Sequence, residues 1–203
     1  MTINTEDMLN SILESLSRIA YIKPSEIPNI DLYMDQVTTF MESQLSPTKR
    51  YPSDKVLTKT MINNYAKNNL LPPPIKKKYT NEHILVLIFV YYFKNLLSIK
   101  DIEALLKPIT EKYFNTDEDF NLTAIYEEVC SLEASRIEIV TADIKKAYEA
   151  AQDTFTEAKE EDQNFLHLFT FVCSLSLDVY IKKQLIEKII DQLPNPDSKK
   201  TKK

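Results

Sequence analysis

The sequence predicts an all-α fold in which short N-terminal helices precede a long helical hairpin. Three observations predict it. Between its prolines, the chain's apolar residues recur mostly at spacings of three and four, the period of a helix face. All ten prolines fall between these stretches, where a residue that breaks helix interiors belongs. The 203-residue chain contains no glycine, the residue on which tight hairpins lean, so a large antiparallel sheet is not expected.

The elements follow in order. Residues 5–20 form a first helix with Met8, Leu9, Ile12, Leu13, Leu16 and Ile19 on one face. Residues 31–45 form a second, with Tyr33, Val37, Phe40, Met41 and Leu45 inward. A polar loop spans 46–55. Thr58 caps a short helix that ends near Asn69 and is stopped by Pro72–Pro74. Thr80 caps the next, with Glu82 in its first turn to complement the helix dipole. Ser98 and Asp101 have the spacing of a capping box and open a helix that ends before Pro108. Residues 109–193 contain no proline. There, Ile125, Val129, Leu132, Val140, Ile144, Ala147, Ala151, Phe155 and Ala158 trace one long helix, and 160–164 form a polar turn. Phe165, Leu168, Phe169, Val172, Leu175, Val179, Ile186, Ile189, Ile190 and Leu193 trace the return helix. The pattern predicts a helical N-terminal region (1–108), a helical C-terminal hairpin (109–193) packed on the rest of the chain or on a second copy, and a disordered lysine-rich tail (194–203).

Composition narrows the function. Hydrophobic residues at 43% and charged residues at 27% are an ordinary globular balance. Without glycine there is no phosphate-cradling loop and no dinucleotide fingerprint, which argues against most nucleotide-dependent enzymes. Cys130 and Cys173 lie in apolar helical contexts and read as small buried hydrophobes in a reducing compartment. The first ten residues carry Glu6 and Asp7 and no base, unlike a secretory signal. The longest apolar run, Ile84–Phe93, is too short to span a bilayer. These features predict a cytoplasmic protein. His83 and His167 are far apart, and His167 and Cys173 do not share a helical face, so neither a metal site nor a nucleophilic pair is indicated. His83 reads as a half-buried core residue, and Tyr91 and Tyr92 as packing. No enzyme activity, cofactor or metal is expected.

Charge changes sign along the chain. The formal net charge is −5. Residues 49–80 hold eight bases (Lys49, Arg50, Lys55, Lys59, Lys67, Lys76, Lys77, Lys78) against Asp54 alone, a balance of +7. Residues 101–196 hold nine bases against twenty acids, a balance of −11. A compact basic segment in an acidic chain is the electrostatic footprint of a phosphate-bearing partner.

That segment also carries a constellation. Thr58 stands before a helix with Ile62 and Tyr65 on its inner side, followed by Leu70, Leu71 and Pro72. Tyr79 and Thr80 precede the apolar helix, and Ser98, Asp101, Ile102, Leu105 and Leu106 open and line the next one. Residues 57–106 thereby resemble the DNA-binding head of the MerR family, a winged helix-turn-helix. The resemblance covers about a quarter of the chain. The chain is also similar to a bacterial family of unknown function, most specifically over 31–79. The departures from the MerR pattern are local. Asn69 replaces the exit glycine, Asn63 and Asn64 replace an arginine and an aromatic, and Lys76–Lys78 stand where a longer wing has an Asn-Gly turn.

The resemblance implies a transcriptional regulator that binds double-stranded DNA as a homodimer. It presents Lys59, Thr60, Asn63, Asn64 and Lys67 from a recognition helix and Lys76, Lys77, Lys78 and Tyr79 from the wing. Asparagine can pair bidentately with adenine, while lysines position the protein on phosphates. Residues 109–193 take the place of an effector module, and their sequence names no effector. The alternative is a non-catalytic helical adaptor that keeps the scaffold but binds protein, favoured by the missing arginine and the acidic second half.

Overall fold

A computed structural model describes residues 5–16 and 22–194, with side chains for all of these but Glu6, Leu16 and residues 133–135. Its elements in order are α1 (Thr5–Leu16), β1 (Leu32–Tyr33), α2 (Met34–Leu45), α3 (Lys59–Lys67), β2 (Lys78–Tyr79), α4 (Asn81–Phe93), α5 (Ile99–Tyr113), α6 (Leu122–Gln152) and α7 (Glu160–Asp191). Helix dominates, as expected. The end of the first expected helix (17–20) and the tail beyond Pro194 lie outside the described residues.

The chain divides into two compact units, one of Met1–Ala20 with Ser131–Ile186 and one of Tyr21–Cys130 with Glu187–Lys203. Residues 109–130 belong with the preceding helices, because Leu122 and Tyr126 are buried in that core. Tyr126 also donates its hydroxyl to the Ile22 carbonyl at 2.6 Å.

In the larger unit α4 is the axis. Every residue from His83 to Tyr91 is buried, so the helix is apolar all round rather than amphipathic. Each of its fully buried aliphatic side chains contributes about 1.5–3 kcal/mol relative to exposure. Val37, Met41 and Leu45 of α2, Ile62 and Tyr65 of α3, and Ile102 and Leu106 of α5 complete the core. The second expected helix starts later than its apolar pattern suggested. Leu32 and Tyr33 are a strand, Tyr33 is exposed, and its N–H donates to Gln36 Oε1 at 2.8 Å to open α2.

Pro108 does not end α5, contrary to expectation. The ring removes one backbone donor and crowds the preceding turn, which costs about 3 kcal/mol. Tertiary contacts hold the far end in place. Phe114 packs edge-on against His83 with centroids 4.8 Å apart, and the Asn115 N–H donates to Glu82 Oε2 at 2.6 Å.

In the smaller unit, Leu9 and Leu13 of α1 pack with Ala151 of α6 and Phe171 of α7. Tyr148 sits edge-on to Phe171 at 5.4 Å and donates to Thr5 Oγ1 at 2.8 Å. The helical hairpin is present, but its turn lies earlier than expected. Residues 153–159 form it, with Phe155 at φ 53°, so Phe155 and Ala158 are not helical. The acidic 160–164 stretch, expected as the turn, is the first turn of α7, where carboxylates meet the positive end of the helix dipole.

α7 carries a second apolar face. Phe165, Phe169, Val172 and Val179, spaced by four, three and seven, are exposed, Phe165 by 69%. Cys173 is exposed as well, not buried as expected, because it lies away from the Phe171 face. By length and composition α7 could cross a bilayer. Asn164, His167, Ser174 and Ser176 interrupt its apolar run, which is why run length pointed to α4 instead.

Candidate nucleic-acid interface

The basic segment folds into a helix, a sharp exit and a tight hairpin. Thr58 Oγ1 accepts from the Met61 N–H at 3.2 Å and starts α3. The helix period then separates its residues. Ile62 and Tyr65 are buried, while Lys59, Thr60, Asn63, Asn64 and Lys67 are all exposed within one arc of the opposite face. Lys67 also complements the helix C-terminus.

The exit is a Schellman motif. The Leu70 N–H reaches the Tyr65 carbonyl at 2.9 Å, and the Asn69 N–H reaches the Ala66 carbonyl at 3.3 Å. Asn69 stands at φ 56°, so asparagine takes the left-handed position that glycine usually fills. Leu70 and Leu71 return to the core.

The hairpin closes in two residues. Ile75 and Lys78 exchange both backbone hydrogen bonds, at 3.0 and 2.9 Å. Between them Lys76 and Lys77 have φ of 49° and 65°. Positive φ at both central residues is the signature of a type I′ turn, which favours Asn-Gly. Each non-glycine residue held there costs roughly 1 kcal/mol. Both lysines are exposed at the tip. β2 pairs antiparallel with β1, Leu32 opposite Tyr79 and Tyr33 opposite Lys78.

The segment Tyr33–Asp35 joins helix and hairpin into one surface. Lys78 Nζ stands 5.5 Å over the Tyr33 ring. Lys59 is ion-paired with Asp35. Both partners of that pair are exposed, so it is worth no more than about 1 kcal/mol, and a phosphate could compete for the lysine. The sequence marked Tyr33 only as a core-facing residue and did not mark Asp35, because strand pairing brings the first to Lys78 and the packing of α2 on α3 brings the second to Lys59.

Tyr79 is a correction. Its ring is 3% exposed, packed edge-on to His83 at 5.5 Å, and burial raises its pKa. It supports the hairpin from within the core. His83 is fully buried rather than half-buried. Its Nδ1 accepts from the Thr80 N–H at 3.0 Å, which can only donate, so the neutral ring carries its proton on Nε2 and directs it to the Pro73 carbonyl at 3.4 Å. Burial lowers the His83 pKa, opposed by hydrogen bonds to the Pro73 and Pro72 carbonyls and by the charge of Asp31. His83 thus pegs the start of α4 to the chain just before the hairpin.

A family model described as "Domain of unknown function (DUF1836)" matches residues 22–129, more than half of the chain. No curated protein and no solved structure matches the chain.

Proposed function

The chain belongs to the DUF1836 family, a domain of unknown function, and we propose that residues 57–106 are a MerR-like winged helix-turn-helix that binds double-stranded DNA in transcriptional regulation. The observation that carries this reading is the tight hairpin with two strained, exposed lysines at its tip, joined through Tyr33–Asp35 to the exposed Lys/Asn face of α3. Strained backbone clusters at functional sites, and here the strain coincides with two exposed cations. Lys59, Thr60, Asn63, Asn64 and Lys67 face the major groove, and Lys76, Lys77 and Lys78 meet phosphates as the wing. A single head offers limited contact area, so the protein binds as a homodimer through the exposed apolar stripe of α7.

The test is a salt titration of binding to random duplex DNA by fluorescence anisotropy, with a Lys76→Ala/Lys77→Ala/Lys78→Ala variant. Log affinity falls linearly with log salt, and the variant's slope is smaller by about 2–3. Absence of binding at low salt refutes the reading. It then favours the helical adaptor, which the acidic residues 101–196 support through their repulsion of DNA.

A further inference from the structure

A second group of basic side chains surrounds a cavity whose wall includes no residue of α3. The cavity measures about 420 Å³, and Lys49, Arg50, Lys55 and Lys94 line it, with Asp54 the one acid in its wall. Its size falls in the range of small-molecule sites. Lys49 is paired with Glu42 of α2. The other three bases, Arg50, Lys55 and Lys94, form no ion pair among the described residues, although the charge of Lys55 still acts on Glu42. Asp54 gives one carboxylate oxygen to the Tyr51 N–H at 3.0 Å.

The wall is built rather than incidental. Lys94, half-buried at the end of α4, donates to the Val56 carbonyl at 2.7 Å and stands 4.6 Å over the Tyr91 ring. That leaves two ammonium protons uncommitted. The Arg50 guanidinium lies 5.2 Å over the Tyr51 ring. Tyr91 is bonded to Thr48, whose hydroxyl also donates to the Leu45 carbonyl at 2.7 Å. Burial penalises the charge on Lys94 and lowers its pKa, and an anion beside it offsets that cost.

We infer that this cavity binds a small phosphorylated ligand, whose phosphoryl oxygens accept from Arg50, Lys55 and Lys94. Arginine's planar fork and two ammonium groups suit a dianion with three acceptor oxygens. The site holds independently of the DNA reading. If that reading also stands, the ligand grips the loop that leads into Thr58 and α3, and so acts as an effector of DNA binding.

The experiment is calorimetric titration of the full chain with inorganic pyrophosphate at constant ionic strength. Wild type and Lys76→Ala/Lys77→Ala are expected to bind one equivalent with equal affinity. Arg50→Gln/Lys55→Gln, which alters only exposed side chains, is expected to bind at least about tenfold more weakly with an unchanged melting temperature. Lys94→Met serves as the second variant, with the same expected loss. Equal affinity in Arg50→Gln/Lys55→Gln, or no binding by wild type, overturns the inference. A further arm separates the sources of the phosphoryl group. With a soluble ligand, duplex DNA does not displace pyrophosphate from wild type, and Arg50→Gln/Lys55→Gln still binds duplex, weakened only by the two lost charges. If the duplex displaces pyrophosphate and that variant loses both, the cavity holds a backbone phosphate of DNA and the small-ligand assignment fails.

Discussion

Lys76 and Lys77 show how a chain without glycine still makes a two-residue hairpin: it accepts strain at two side chains that carry charge. Stability and function should therefore separate there. Lys76→Asn/Lys77→Gly is expected to raise unfolding free energy by about 1 kcal/mol in urea titrations. The same variant should lower the salt slope of DNA binding by about 2. His83 yields a prediction of the opposite kind. Its folded pKa lies below the unfolded value, so below about pH 6.5 the unfolded chain binds a proton that the folded chain refuses. This contribution to stability is complete above that pH and is lost as pH falls toward the folded value. Urea midpoints measured from pH 7.5 to 5 should fall, and His83→Asn should be less stable at pH 7.5 yet show a flatter pH dependence.

Among the elements, α5 is the one whose sequence signals compete. Ser98 and Asp101 start it with reciprocal bonds: the Asp101 N–H reaches Ser98 Oγ at 3.2 Å and the Ser98 N–H reaches Asp101 Oδ2 at 3.1 Å. Pro108 should stop it and does not, because Phe114 and Asn115 are anchored on α4. Pro108 is exposed, so Pro108→Ala restores a backbone bond without disturbing packing. Thermal unfolding should show a gain of about 1–2 kcal/mol, the helix benefit less the added freedom of the unfolded chain. A loss would mean that the proline sets a bend the core requires.

For the molecule as a whole, the exposed apolar face of α7 governs assembly. Phe165 and Phe169 stack at 6.4 Å in solvent, an arrangement that suits burial against a second copy. Sedimentation velocity at micromolar concentration should report a dimer for wild type and a monomer for Phe169→Glu. A wild-type monomer removes the homodimer from the proposed function. Recovery of the wild type only in detergent or vesicles points instead to the bilayer, for which α7 has the length and composition.

Local sequence is enough to show that the fold is helical, where α2, α3, α4 and α5 lie, and which cap residues start three of them. These are local matters, decided by period, proline and capping chemistry within a few residues. It also marked the exposed side of α3, since an amphipathic period names both faces once one is apolar. What it could not carry was pairing over distance. That β1 joins the hairpin and brings Tyr33 to Lys78, that α2 packs on α3 and brings Asp35 to Lys59, that Tyr79 is buried, that α5 survives Pro108, and that Lys94 meets the 49–55 loop at one cavity all depend on contacts between residues far apart in the chain. Only the packed structure decides these, because each position answers to neighbours that its own stretch of sequence does not contain.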